Sequence, residues 1–155
     1  MLTFKPAGYA DVAELMERGV RLSDWRECLK ATGGGMEMAL RLAVGLSALA
    51  VAVRLEGRII ALFGVAADAA GHGVVWLAGH DDMEQPDLAV ALGRASRRFV
   101  ACWQRKFKRL HNVVDPANKD SQRWLEWLGF TIDRDSPTRG PLGHELYRFW
   151  REVCA

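Results

Sequence analysis

The stretch NKDSQRWLEWLGF, residues 118–130, joins polar groups that could hold a ligand to an apolar run that could line its site. Asn118 and Ser121 stand at the start of a predicted helix, where backbone N–H groups lack partners within the helix. Asn118 suits the N-cap position, and Gly129 suits a left-handed helix end. Two interpretations stay open: a cap followed by core packing, or one wall of a cofactor site.

A second stretch with chemical potential is HDDMEQPD, residues 80–87. His80 and Asp81, at the end of the predicted strand 73–79, are weak candidates for a general base, and His80 is the better one because an imidazole accepts a proton near neutral pH. A histidine beside acids is more often a solvated surface residue, so no catalytic residue is assigned. Adjacent residues rarely converge on one ion, and the other histidines are scattered along the chain, so the sequence predicts no metal site. Those other histidines are His72, His111 and His144.

The residue patterns around these stretches predict an α/β chain in the order β, α, α, α, β, β, β, α, β, α, β, β. The predicted strands are LTFKPA at the start, residues 47–55, 58–67 and 73–79 as an antiparallel meander, RLHNVVDPA ending at Pro116, then 131–135 and 142–150. The predicted helices are one containing Val12 and Leu15, one from an N-cap at Ser23 to Gly33, MEMALRLAVG up to Gly45, 86–106, and one starting at Asn118. A mixed sheet with helices on both faces is the natural architecture.

The helix predicted over residues 86–106 separates an apolar face from a basic one. The apolar face consists of Leu88, Leu92, Ala95, Phe99 and Cys102. The opposite face consists of Arg94, Arg97, Arg98, Ala101, Arg105 and Lys108. Arg94, Arg98 and Arg105 could follow a nucleic-acid backbone. A net charge of only +2 instead favours a solvated helix face.

Length and composition fit one globular domain over residues 1–155, with 50% hydrophobic and 26% charged residues. The three cysteines, Cys28, Cys102 and Cys154, form no CxxC pair, which favours a reducing setting during synthesis. The longest apolar run, residues 42–53, is too short for a bilayer, which needs about 20 residues. We therefore expect no membrane segment.

The element order and the quoted helix resemble the GCN5-related N-acetyltransferase (GNAT) superfamily. In that family the last helix typically begins with Asn, carries Ala or Ser three residues later and ends on Gly-Phe. Asn118, Ser121, Trp124, Gly129 and Phe130 fall on the matching positions. The resemblance implies a mixed, mostly antiparallel sheet flanked by helices on both faces. It also implies acetyl-CoA as cofactor, with Asn118 and Ser121 as cofactor-binding residues.

A narrower resemblance is to the GNAT-like internal virion proteins of short-tailed phages. The segments VVWLAGH, RKFKRL and NKDS look like elements of those proteins. This resemblance implies protein partners in a virion, and synthesis in the host cytoplasm.

Two features of the sequence depart from the enzymes of the family. Their pyrophosphate loop typically carries glycines, whereas residues 80–92 have none, and Pro86 lacks an amide hydrogen. Asp81, Asp82, Glu84 and Asp87 would repel an anion there. The family's general acid is often a Tyr in the last helix, where this chain has Leu125.

The departures favour a catalytically degenerate GNAT-fold protein that acts as a virion-associated structural or interaction component. The alternative is an acetyl-CoA-dependent N-acetyltransferase with an atypical pyrophosphate loop. In either case we expect the strand at 110–115 to run parallel to the strand at 73–79 and to splay from it at one end. We expect the resulting slot to be empty or filled by Trp76, Trp124 to be buried, and Trp127 to be exposed.

Overall fold

Within residues 1–153 the chain forms seven strands and five α-helices, in the order that the spacing of apolar residues predicted. The computed structural model describes residues 1–153, and the strands are β1 (Leu2–Pro6), β2 (Ser47–Leu55), β3 (Arg58–Ala67), β4 (Gly73–Gly79), β5 (Arg109–Val114), β6 (Thr131–Arg139) and β7 (Glu145–Glu152). The helices are α1 (Tyr9–Arg18), α2 (Leu22–Thr32), α3 (Met36–Leu46), α4 (Pro86–Lys106) and α5 (Lys119–Trp127). A short 3-10 helix, Asp81–Glu84, lies between β4 and α4.

The strands form a single mixed sheet in the order β1-β2-β3-β4-β5-β7-β6. Every neighbouring pair is antiparallel except β4 with β5, which are parallel because α4 crosses between them. The predicted fold class, a mostly antiparallel mixed sheet, is therefore confirmed. The predicted meander of β2, β3 and β4 is also confirmed with its boundaries.

Two hydrophobic cores cover the two faces of the sheet. Alternate residues of the strands supply them, since successive side chains of a strand point to opposite faces. On β4, Val75 packs with residues of α4 and α5, whereas Ala78 packs with residues of α1 and α3. The helices thus lie on both faces, as the sequence predicted.

Several element boundaries differ from the sequence predictions, and one is the end of β5, which lies at Val114 and not at Pro116. Helix α2 begins at Leu22 with Arg21 as its N-cap, so Ser23 lies inside the helix and is not its cap. Strand β6 continues to Arg139 through Pro137, which an edge strand tolerates because its outer N–H groups need no partner. Strand β7 begins only at Glu145.

The buried face of α4 is rotated from the predicted one. Leu92, Val100 and Trp103 are buried, whereas Cys102 is exposed. The predicted apolar residues alternate spacings of four and three, which averages slightly less than the 3.6 residues per turn of an α-helix. Over this 21-residue helix the difference moves the last predicted residue away from the face that contacts the sheet. The predicted basic face is exposed at Arg94, Arg97, Arg98, Ala101 and Arg105, whereas Lys108 lies beyond the end of α4 at Lys106.

Two further expectations concern cysteines and membranes. Cys28 and Cys102 are free thiols, and Cys154 lies outside the described residues. Within residues 1–153, none of the helices combines the length and the apolar character that crossing a bilayer requires.

Candidate functional site

The sheet opens between β4 and β5. The two strands pair only at Gly73 with Leu110 and at Val74 with His111, and beyond this point they separate. The side chain of Asn112 stands at the fork, where its Nδ2 donates to the Val75 carbonyl at 2.6 Å. Its Oδ1 accepts from the Val113 amide at 2.8 Å, so the side chain replaces the missing ladder contacts. The expected splay of these strands is confirmed.

A cavity of about 460 Å³ extends from this fork to both faces of the sheet. Its wall is mostly apolar and aromatic, and includes Phe63, Trp76, Trp103, Trp124 and Leu125. Trp76 is tied to the α3 side by its Nε1, which donates to Ser47 Oγ at 2.8 Å. Trp76 therefore lines the slot without filling it.

The polar side chains of the cavity wall include Asp24, Glu27, Asn112 and Ser121. Asp24 is buried, and its Oδ2 accepts from both the Gly79 amide and Arg21 Nε, each at 2.9 Å. Asp24 therefore has a structural role, because it anchors the start of α2 to the end of β4.

Glu27 is the polar side chain of this wall whose protonation is most perturbed. Its Oε1 accepts from the Asp115 amide at 2.7 Å. Burial, with smaller contributions from the nearby carboxylates of Asp24 and Asp115, raises the pKa of Glu27 to about 7. A carboxyl group with that pKa can take up or release a proton at neutral pH. The sequence analysis missed Glu27, because nothing in its local sequence shows that α2 faces the fork.

The segment between β4 and α4 is closed by its own contacts. The amide of Asp82 donates to His80 Nδ1 at 3.0 Å, and the amide of Met83 donates to the His80 carbonyl at 3.1 Å. The amide of Gln85 donates to the Asp82 carbonyl at 3.3 Å. Pro86 occupies the first turn of α4 and contributes no donor.

Two acids of this segment, Asp82 and Glu84, have arginine partners at the end of α1 and at the N-cap of α2. Arg18 pairs with Asp82 at 2.9 Å, and Arg21 lies 3.4 Å from Glu84. The hydrogen bond from Arg18 holds the pKa of Asp82 below its usual value. Asp82 is therefore a charged acceptor at neutral pH, at the place where the resemblance would put a pyrophosphate.

The predicted site residues fall in different places. Ser121 lines the cavity, and Asn118 caps α5 by accepting from the Ser121 amide at 3.2 Å. The cap interpretation of Asn118 is thereby confirmed, while its Nδ2 is buried without a hydrogen-bond partner in the part of the chain described. Leu125, at the position of the family's Tyr, is buried in the cavity wall. His80 lies outside that wall, and its Nδ1 already accepts a hydrogen bond.

The histidines are not all scattered, as the sequence analysis had them. Residues 1–153 contain one group of three potential metal ligands, and it consists of Asp68, His72 and His111. His111 lies 43 positions from Asp68 in sequence, so local spacing gave no signal for the group.

Comparison with known proteins identifies the fold. No protein-family model matches the sequence, and no curated protein matches it. Among solved structures, a GNAT-family acetyltransferase from Streptococcus pneumoniae superposes with a TM-score of 0.68 at 15% identity, covering 99% of this chain and 100% of that one. Ard1 from Thermoplasma volcanium gives a TM-score of 0.69 at 15% identity, covering 99% of both chains. The chain has the GNAT fold.

A third similar structure contains ligands. Aminoglycoside acetyltransferase AAC(6')-Ib in complex with coenzyme A and kanamycin gives a TM-score of 0.68 at 14% identity, covering 98% of this chain and 95% of that one. At these identities the likeness shows the fold alone. The GNAT resemblance of the sequence is thus confirmed at the level of fold. The comparisons do not support the narrower resemblance to phage virion proteins.

Proposed function

We propose that this GNAT-fold protein does not use coenzyme A for acyl transfer and acts by binding a protein partner. The observation that carries the proposal is the closed segment between β4 and α4. The amides of Asp82, Met83 and Gln85 already donate within the segment, so they cannot form a ring of donors around a pyrophosphate. Asp82 and Glu84 are paired with Arg18 and Arg21, so it is the exposed carboxylates of Asp81 and Asp87 that would oppose the same anion.

Exposed apolar side chains on α2 and α3 support the binding role. They are Leu22, Trp25, Leu29, Met38, Leu42 and Leu46. Large exposed apolar groups on adjacent helices are typical of interaction surfaces. Leu42 and Leu46 also line the cavity, so a partner covering them would close its α3 side.

The narrower form of this proposal is a virion-associated component made in a host cytoplasm. Its support is the resemblance of VVWLAGH, RKFKRL and NKDS to internal virion proteins of short-tailed phages. The location of the gene tests it: neighbouring genes for phage head and tail proteins are expected. A gene within a bacterial metabolic operon would contradict the virion role.

Two observations favour the alternative, an acetyl-CoA-dependent N-acetyltransferase, and the first is that structures of similar fold are acetyltransferases. The second is that Glu27 brings a carboxyl group with a pKa of about 7 to the fork, and such a group could accept a proton from an amine. The position of the family's general acid holds Leu125, which has no proton to donate. The alternative therefore offers a base but no acid.

Thermal unfolding with acetyl-CoA decides between the two functions. A ligand at 100 times its dissociation constant stabilises a fold by about 2.7 kcal/mol. For a domain of this size that corresponds to a shift of several degrees. We expect no shift at millimolar acetyl-CoA and no thiol release with amine substrates, with a GNAT enzyme assayed in parallel as positive control. A shift in the wild type, together with thiol release that Glu27→Gln abolishes, would establish the transferase instead.

A further inference from the structure

Three side chains meet at the end of the sheet opposite the opening of the fork. Asp68 follows β3, His72 immediately precedes β4, and His111 belongs to β5. The parallel pairing of Val74 with His111 brings β5 alongside the β3–β4 turn. Chain topology therefore joins two imidazoles and one carboxylate that the sequence separates.

The turn itself fixes the carboxylate. Asp68 Oδ1 accepts from the amides of Ala70 and His72, each at 2.9 Å. The Asp68 amide donates to the His72 carbonyl at 2.9 Å, and Gly71 adopts the positive φ of 80° that closes the turn. These contacts orient the group and leave Oδ2 directed toward the histidines.

The second oxygen lies between the two rings. His111 Nε2 is 2.7 Å from Asp68 Oδ2, and His72 Nδ1 is 3.9 Å from the same atom. One ligand atom from each of the three residues lies within 4.8 Å of the others.

We propose that Asp68, His72 and His111 bind one divalent transition-metal ion, of which Zn²⁺ is the best match. Two imidazoles and a carboxylate suit zinc and its neighbours, whereas Mg²⁺ and Ca²⁺ prefer oxygen ligands alone. Tetrahedral bonds of 2.0–2.2 Å place neighbouring ligand atoms about 3.3 Å apart. The contacts of 2.7 and 3.9 Å lie on either side of that value, so small side-chain movements would form the site.

The turn alone does not account for the position of His72. The turn needs Oδ1 and backbone groups, whereas the His72 ring makes no side-chain hydrogen bond among residues 1–153. The His72 side chain is 41% exposed, so an ion from solvent can reach it. A bound ion would take the place of the hydrogen between His111 Nε2 and Asp68, with the proton of the neutral ring carried on Nδ1, and would link the β3–β4 turn to β5.

Calorimetric titration of the chelator-stripped full chain with Zn²⁺ tests the site. We expect one ion per chain and a higher melting temperature with Zn²⁺, but neither effect with Mg²⁺ or Ca²⁺. His72→Ala removes a ligand without removing a side-chain hydrogen bond, so its fold should persist by circular dichroism. Its affinity should fall at least about tenfold, since losing even a supporting contact costs about 10–100-fold.

Two matched variants exclude other ligands. His144→Ala removes an exposed histidine elsewhere, and Cys102→Ser removes an exposed thiol. Both should bind Zn²⁺ with the affinity of the wild type. Co²⁺ should give the visible absorption of a four-coordinate site in the wild type and lose it in His72→Ala. Absence of Zn²⁺ binding in the wild type, or equal losses in His72→Ala and His144→Ala, would overturn the proposal.

Discussion

Glu27 makes stability depend on pH in a direction opposite to that of most carboxylates. Its pKa is raised from 4.5 to about 7, so the folded chain holds this proton more tightly than the unfolded chain. Ionising Glu27 in the folded chain therefore lowers the free energy of unfolding. This penalty is absent below pH 4.5, grows as pH rises, and is complete above about pH 7, at roughly 3 kcal/mol. We expect Glu27→Gln to be more stable than the wild type above pH 7 by an amount approaching that penalty.

Urea unfolding at pH 4.5 and pH 8 measures this effect. The difference between wild type and Glu27→Gln isolates Glu27 from the other titrating groups, and the Gln carbonyl can still accept from the Asp115 amide. Parallel stability curves for the two proteins across this range would show that Glu27 ionises normally.

Trp124 and Trp127 test the packing of α5. Trp124 is half-buried against the core, less than the sequence predicted, because it lines the cavity at the fork. Trp127 is 46% exposed, as expected, with the Arg97 guanidinium 3.6 Å from its ring centroid. Trp124→Ala should cost about 2–4 kcal/mol, somewhat less than a full core truncation. Trp127→Ala should cost about 1 kcal/mol, and equal losses in urea would contradict this packing.

At the scale of elements, Asn112 holds the fork between β4 and β5. Its amide satisfies the Val75 carbonyl and the Val113 amide, which have lost their strand partners. Asn112→Ala leaves both groups without this partner, at about 1–3 kcal/mol for each group that stays buried. We expect lower stability and faster hydrogen exchange in β4 and β5. For comparison, Asn118→Ala should lose the cap to the Ser121 amide, at about 1 kcal/mol. Unchanged exchange in Asn112→Ala would mean that the fork holds without this side chain.

The helices and strands were predictable where a clear turn signal or a change between strand and helix periodicity marks their ends. Glu56 and Gly57 separate β2 from β3, and the change from alternation to helical spacing marks α4. Sequence reasoning failed at Ser23, where a good capping residue lies one position inside the helix. It also failed at Pro137, because nothing local shows that β6 is an edge strand.

At the scale of the whole molecule, the candidate site was less predictable than the elements. Of the two residues predicted from one helix start, Ser121 lines the cavity and Asn118 caps the helix. Glu27 meets Asp115 across 88 positions, and His111 meets Asp68 across 43. These contacts depend on the order of the strands in the sheet and on which face of each helix packs against it. The spacing of residues along the chain shows neither property, so Glu27 and the contact of His111 with Asp68 could be identified only from the structure.

The single sheet gives the last prediction, that residues 1–153 unfold as one cooperative unit. Every strand belongs to this sheet, and the two cores share its two faces. The tryptophans sample α2, β4, α4, α5 and β7, so their fluorescence reports on the whole fold. They are Trp25, Trp76, Trp103, Trp124, Trp127 and Trp150. Fluorescence and far-ultraviolet circular dichroism should therefore give coincident urea transitions. Two separated transitions would mean that one face of the sheet unfolds independently, contrary to a single domain.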